Sequence, residues 1–306
     1  MEPDINKIED SLNSLRGKEY ISESTLDFFM DLTRAQYKVK SQLLEKDTTL
    51  SLTEDEVREK LQNGKTLISW DDIPVKKTLL KDLFREMCEI MKSHEKTEKK
   101  AVQRIIDAES GGDLKLDILI EKLFLHDSVY FLSLSKDLDI SEDVLVFIAL
   151  SMAKPFVETV AEKVRYKVLD DKWLRNYCPV CGGCAQISKL DKEDGKRKLY
   201  CLLCGSEWRY MRLKCSFCGD EQASGLKFLA EEGSPYRIDL CEKCRRYIKT
   251  FNEKNAGSTR EIIPAVEDLA TMYLDIVAEK EGYERSWFFP PSAGELKAGE
   301  KSKTVH

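Results

Sequence analysis

The sequence predicts an α+β protein, with an all-helical N-terminal domain followed by a small sheet domain that carries two four-cysteine metal sites and a C-terminal helix. Three observations support this. Apolar residues recur at helical spacing through residues 1–170, eight of the ten cysteines lie between residues 178 and 244, and short apolar segments separate those cysteines. The predicted parts are a helical domain at 1–170, a metal domain at 171–255, a C-terminal helix within 256–289 that packs back on the domains, and a disordered tail at 290–306.

Capping signals and apolar periodicity define the predicted helices. Thr53 and Glu56 have the spacing of a capping box, and Gly64 ends that helix. Pro74 opens a helix with apolar residues at a period of 3.6, and Pro155 is expected to kink or split the most apolar helix. That helix starts at 141, and the others are predicted at 25–44, 101–108, 114–131 and 262–282.

Short apolar segments after residue 173 predict hairpin strands that begin or finish at a metal site. The predicted strands are 197–200, 208–213, 226–229 and 236–240.

Four Cys-x-x-Cys pairs dominate the second half of the chain. In such a turn, or knuckle, both sulfurs can face one metal ion. Gaps of 19 and 22 residues separate the first pair from the second and the third from the fourth, which is the layout of two tetrathiolate sites. Sequence order favours joining pairs one and two, and pairs three and four, although other combinations stay open. The eight predicted metal ligands are Cys178, Cys181, Cys201, Cys204, Cys215, Cys218, Cys241 and Cys244.

A glycine follows three of the four knuckles, at Gly182, Gly205 and Gly219. Glycine lets the chain leave the turn with a positive φ at little steric cost. Arg245 takes this place in the fourth knuckle, so we expect its turn to differ from the others or to be strained.

The identity of the metal does not follow from the spacing, because tetrahedral sulfur suits either zinc or iron. Cys184 extends the first knuckle to Cys-x-x-Cys-x-x-Cys, but the fourth cysteine and proline of a [4Fe–4S] ligand run are missing. We interpret Cys184 as a spare, oxidisable thiol. Cys88 lies among apolar helix residues and is expected in the core.

Composition and charge indicate an ordinary soluble protein, with a net charge of −6. Residues 171–250 hold 16 basic and 11 acidic side chains, and this small surplus nearly vanishes once eight thiolates bind two divalent ions. The N-terminus has no signal-peptide pattern, and the longest wholly apolar run, at 144–150, is too short to span a bilayer. We therefore expect a cytoplasmic protein with neither membrane insertion nor nucleic-acid binding.

The expected role is that of an accessory protein without catalysis of its own. The sequence lacks phosphate-loop and dinucleotide-binding fingerprints, and four thiolates leave a metal ion no open position for substrate. Two alternatives stay open. One is a zinc-ribbon nucleic-acid-binding protein that uses Arg245, Arg246 and Lys249 beside aromatic residues. The other is a thiol or sulfur-transfer protein that uses Cys184.

The knuckle series resembles the FdhE family of formate dehydrogenase accessory (formation) proteins. The resemblance lies in Trp173 before Cys-Pro-Val-Cys-Gly, in Glu207-Trp208 between the second and third pairs, and in the segment 241–249. It covers residues 173–285, whereas the N-terminal part agrees mainly in helical character. The chain departs from the family pattern after the first knuckle, where Cys184 and its neighbours replace a small residue followed by x-Pro.

This resemblance implies a helper that binds the catalytic subunit of a molybdenum- or tungsten-containing formate dehydrogenase and is needed to form the active enzyme. It also implies rubredoxin-like sites in which the eight cysteines hold iron, while the spacing permits zinc. The oligomeric state does not follow from the sequence.

Overall fold

The computed structural model describes residues 5–44, 50–94, 99–168, 173–256 and 262–285. The predicted α+β class is confirmed, since a helical N-terminal region precedes a sheet with two four-cysteine clusters and further helices. The chain divides into a helical unit, Met1–Ser51 with Ile68–Val164, and a sheet unit, Leu52–Leu67 with Arg165–His306. The predicted domain boundaries stay predictions, and the predicted tail lies outside the described residues.

Eight helices precede the sheet in the described part of the chain. Thr53 and Glu56 form the predicted capping box on the third, with Thr53 N donating to Glu56 Oε2 at 2.7 Å. That helix, α3, belongs to the sheet unit, whereas the other seven belong to the helical unit. The helices are α1 (Ile5–Asn13), α2 (Glu23–Leu44), α3 (Glu54–Gln62), α4 (Lys77–Ser93), α5 (Lys99–Gly111), α6 (Leu116–Phe124), α7 (Ser128–Asp137) and α8 (Glu142–Ala161).

Helix α8 forms the centre of the helical unit and packs against α2, α6 and α7. It is continuous through Pro155, so the predicted split does not occur. By length and composition alone α8 could cross a membrane, but 78% of its apolar window is buried inside the structure, as in the core helix of a globular unit. Gln36 Nε2 donates to the Ser151 carbonyl at 2.9 Å and anchors α2 on α8.

The single helix predicted at 114–131 is wrong, because the chain forms α6 and α7 instead. His126 adopts a φ of 56° and ends the first of them. Asp127 then caps the second, accepting a hydrogen bond from Tyr130 N at 3.0 Å. A short polar segment with a good N-cap residue therefore overrides the apolar periodicity that runs across it.

The sheet unit contains a seven-stranded sheet with the order β3-β2-β1-β6-β5-β4, and β7 pairs with β6. Each half of the sheet is an antiparallel meander, and a parallel pairing of β1 with β6 joins the halves. The predicted strands correspond to β2 to β5, whereas β1, β6 and β7 were not predicted. The strands are β1 (Ile187–Leu190), β2 (Arg197–Tyr200), β3 (Glu207–Tyr210), β4 (Leu226–Ala230), β5 (Tyr236–Cys241), β6 (Arg246–Asn252) and β7 (Glu284–Arg285).

The helix predicted at 262–282 is present as two helices, α9 (Pro264–Ala270) and α10 (Met272–Lys280), which separate at Thr271. A buried ion cluster fastens them to β6. Lys249 Nζ lies 2.9 Å from Asp268 Oδ1 and 2.7 Å from Asp275 Oδ2, and Arg285 on β7 holds Asp268 through Nη2 at 2.6 and 2.7 Å.

Candidate metal centres

The cysteines lie in two copies of one structural module. Each copy runs from a knuckle through a two-stranded hairpin to a second knuckle and a third strand. The first copy uses β1, β2 and β3, and the second uses β4, β5 and β6. Each hairpin returns the chain to its own first knuckle, and this is why consecutive pairs of cysteines meet.

The structure brings the eight predicted residues together in the two sets favoured by sequence order. In each set the four sulfurs all lie within 4.8 Å of one another. The first set is Cys178, Cys181, Cys201 and Cys204, and the second is Cys215, Cys218, Cys241 and Cys244.

The spacing of the sulfurs suits a tetrahedral ion. A metal–sulfur bond of about 2.3 Å gives tetrahedron edges of about 3.8 Å. In the first cluster Cys178 Sγ lies 3.4 Å from Cys204 Sγ. In the second, Cys215 Sγ lies 3.7 Å from Cys244 Sγ. The sulfur spacing in both clusters is therefore close to that around one four-coordinate ion.

Backbone geometry explains how each knuckle aims its sulfurs. The residue after the second cysteine donates its N–H to the carbonyl of the first, and it does so with a positive φ. The glycine φ values are 85° at Gly182, 68° at Gly205 and 71° at Gly219, and Arg245 follows them at 55°. Arg245 N donates to the Cys241 carbonyl at 2.9 Å. The fourth turn thus has the same form as the others, and an arginine occupies its left-handed position.

The first knuckle contacts a segment that is distant in sequence. Leu67 N donates to the Pro179 carbonyl inside the first knuckle at 2.9 Å, so the chain that follows α3 lies against it. Trp208 is fully buried and donates from Nε1 to the Arg175 carbonyl at 2.9 Å. Tyr177 Oη donates to the Gly64 carbonyl at 2.8 Å. Nothing in the sequence indicates that the segment around Gly64 reaches this knuckle.

Hydrogen bonding among the four thiols of the second cluster lowers the pKa of two of them and raises the pKa of Cys215 and Cys244. Hydrogen bonds from Cys215, Cys241 and Cys244 lower the pKa of Cys218. The pKa of Cys241 is lowered to about 7, chiefly through its hydrogen bond with Cys215. Thiols that lose protons readily are suitable metal ligands, because the thiolate is the form that binds.

The two remaining cysteines lie outside both clusters. Cys184 is 2% exposed and forms an isolated antiparallel bridge with Tyr177. Cys88 is buried on α4, and burial raises the pKa of its thiol to about 12. Neither combination of burial and environment suits a nucleophilic thiol.

Comparisons with known proteins match the cysteine-containing half of the chain. The family description "FdhE, central domain" matches residues 177–212, and "FdhE, C-terminal domain" matches residues 213–290. The boundary between them lies between the two structural modules.

Among curated proteins, an FdhE homologue of Aquifex aeolicus is 36% identical over 148 residues, which are 47% of this chain and 50% of that protein. Protein FdhE of Escherichia coli is 34% identical over 128 residues, 40% of each chain. The match therefore spans half or less of these relatives. The crystal structure of FdhE from Pseudomonas aeruginosa has a TM-score of 0.59 at 20% identity, covering 95% of this chain and 96% of that one. The overall fold is shared at that level.

Proposed function

Because this chain belongs to the FdhE family, we propose that it is an accessory protein in the formation of a molybdenum- or tungsten-containing formate dehydrogenase. In this proposal it works in the cytoplasm, binds the catalytic subunit of that enzyme and performs no catalysis itself. The single observation that carries the proposal is the pair of four-sulfur clusters on one sheet, within the segment that matches both family domains.

We also propose that the eight cysteines hold two metal ions, one in each cluster. The family resemblance favours iron, and the same geometry fits zinc. A bound ion would supply structural cross-linking or, as iron, one-electron chemistry. Four protein thiolates around one ion leave no position for a substrate, so the contribution of the chain is to shape a surface for its partner.

The burial of Cys184 argues against the sulfur-transfer alternative. A transfer thiol must reach a second protein or a small molecule, and this side chain is 2% exposed. The nucleic-acid alternative loses support as well, because Arg245 and Lys249 are engaged by Glu242, Asp268 and Asp275.

The test combines metal analysis with recovery of enzyme formation. Anaerobically purified protein should contain two metal ions per chain, and a tagged form should capture the catalytic subunit of a formate dehydrogenase when the two are co-expressed. Cys201→Ser should lose one ion and weaken the formation of active enzyme. Cys184→Ser, the matched control in the same module, should keep both ions and full enzyme formation. Loss of enzyme formation in Cys184→Ser with both ions retained would support the sulfur-transfer alternative instead.

A further inference from the structure

The two clusters differ in their exposure to solvent. In the first, none of the four cysteines is more than 2% exposed. In the second, Cys215 and Cys241 are buried, whereas Cys218 and Cys244 are only partly buried. Leu67 N donates to the Pro179 carbonyl inside the first knuckle, and the indole of Trp208 is fully buried within the first module. The second cluster is therefore the more exposed of the two by the burial of its four cysteines.

The repeat of the module shows what is unusual about the second cluster. Gly205 and Arg245 hold equivalent positions, each directly after the second knuckle of its copy. Both are left-handed, at 68° and 55°. This conformation costs glycine little but disfavours arginine, whose Cβ crowds the backbone. The fourth knuckle thus needs outside contacts that its counterpart does not need.

Those contacts come from one short segment, residues 281–284, which follows α10. Arg245 Nη2 donates to the carbonyls of Glu281 and Gly282 at 2.8 and 3.2 Å. The guanidinium carbon lies 3.9 Å from the centre of the Tyr283 ring. Glu284 N donates to the Arg245 carbonyl at 2.8 Å. The side chain and the backbone of the strained residue are therefore both held by the same segment.

The segment itself fits closely against the knuckle. Gly282 has a φ of 77°, and a Cβ there would lie 3.1 Å from Arg245 Nη2. Tyr283 Oη donates to Glu242 Oε1 at 2.5 Å, and Arg245 Nη1 donates to Glu242 Oε2 at 3.0 Å. Glu242 lies inside the fourth knuckle, between its two cysteines. The contacts thus converge on the turn that aims Cys244.

We propose that the second cluster is the exchangeable metal site of the protein, and that the segment 281–284 controls its metal through Arg245. The inference rests on the metal binding proposed above and adds its regulation. While the segment is in place, the left-handed turn persists and Cys244 faces the other three sulfurs. Without the segment, Arg245 would relax to a negative φ and Cys244 would no longer be aimed at the other three sulfurs that would hold the ion.

The test uses the full chain loaded with cobalt(II) and challenged with an excess of chelator. Metal release is followed by absorbance, and timed alkylation with mass spectrometry shows which cysteines become free. Two phases are expected, with Cys218 and Cys244 alkylated in the fast phase. Tyr283→Ala should accelerate only that phase, by about 5- to 30-fold, the effect expected when contacts that offset one left-handed arginine are removed.

A double-mutant cycle tests the role of Arg245 itself. Arg245→Gly removes both the strain and the contact with Arg245, so Tyr283→Ala should have a much smaller effect on release in that background, limited to the loss of its hydrogen bond to Glu242. Tyr166→Ala, a change at an aromatic residue that is 73% exposed in the same unit, should leave both phases unchanged. Gly282→Ala changes no residue of the knuckle and should still accelerate the fast phase.

Three outcomes would overturn the inference. In the first, two bound ions leave in one phase with all eight cysteines alkylated together, and the metal-binding proposal survives. In the second, the effects of Arg245→Gly and Tyr283→Ala add fully, which would separate the segment from the turn. In the third, the chain binds no metal at all, and the proposed metal sites fail with the inference.

Discussion

Replacing Lys249 with methionine should strongly destabilise the sheet unit. Lys249 is 2% exposed, and its Nζ contacts Asp275, the Asp268 carboxylate and the Asp268 carbonyl at 2.7 to 2.9 Å. Methionine fills a similar volume but leaves the carboxylates of Asp268 and Asp275 without the positive charge of Lys249. Removing one partner from a buried ion pair costs about 3–5 kcal/mol.

The lower end of that range is expected here. Arg285 continues to hold Asp268 with two short contacts, and Tyr247 Oη still donates to Asp275 at 2.8 Å. A loss of about 3 kcal/mol corresponds to a melting temperature lower by about 6–12 °C for a unit of this size. The assay is calorimetry of the metal-saturated chain, with Lys196→Met as the control. Lys196 is 51% exposed and pairs with Asp194, so its change should cost less than about 1 kcal/mol.

The pH dependence of stability gives a second readout for the Lys249→Met variant. Burial alone would raise the pKa of Asp268, but Arg285 and Lys249 outweigh it, so the pKa in the folded protein is lowered. The stability from this ionised carboxylate is present above its unfolded pKa and is lost as the pH falls through the folded one. Without Lys249 the folded pKa rises, and acid destabilisation should begin at a higher pH than in the Lys196→Met control. Equal melting temperatures and equal acid profiles for the two variants would refute this account of the cluster.

Three further changes test other parts of the fold. Burial lowers the pKa of His126 to about 4, so the folded state loses stability as the pH falls from about 6.5 to about 4. His126→Asn keeps a residue that tolerates a positive φ and should make the melting temperature less dependent on pH over that range. An unchanged dependence would contradict this. Trp208→Phe removes the bond to Arg175 and leaves a cavity, which should cost about 2 kcal/mol in denaturant unfolding; a cost below about 0.5 kcal/mol would argue against it. Thr53→Ala removes the capping box of α3 and should cost about 1 kcal/mol, with Ser restoring most of it.

The cysteine clusters could be predicted from sequence because their geometry is local. Each knuckle is a short turn, and each pair of knuckles is joined by one hairpin, so sequence order favours the two sets that the structure brings together. The strain expected at Arg245 was also predictable, because three glycines at equivalent positions reveal the backbone conformation required. The contacts that hold Arg245 in that conformation were not, since they come from residues about forty positions downstream.

Strand β6 shows why other elements could not be predicted. It is the central strand, covered on both faces, so it lacks the alternation of a half-exposed strand. From the sequence alone, Lys249 is expected on the surface. Its burial is possible because Asp268 on α9 and Asp275 on α10 pair with its charge. The split at His126 was missed because apolar residues keep a helical period on both sides of the break.

A buried polar chain at the parallel junction of β1 and β6 unites the two modules. Arg197 Nε donates to Ser188 Oγ at 3.4 Å, Ser188 Oγ lies 2.6 Å from Thr250 Oγ1, and Thr250 Oγ1 donates to Asp239 Oδ2 at 2.6 Å. The chain begins in the first module and ends in the second. A shift of one residue between β1 and β6 would break these bonds and bury unpaired polar groups. The polar chain therefore fixes the register of the junction. The two clusters are thereby held on one sheet, and under the proposal above the junction and the first cluster should stay in place when the second cluster loses its ion.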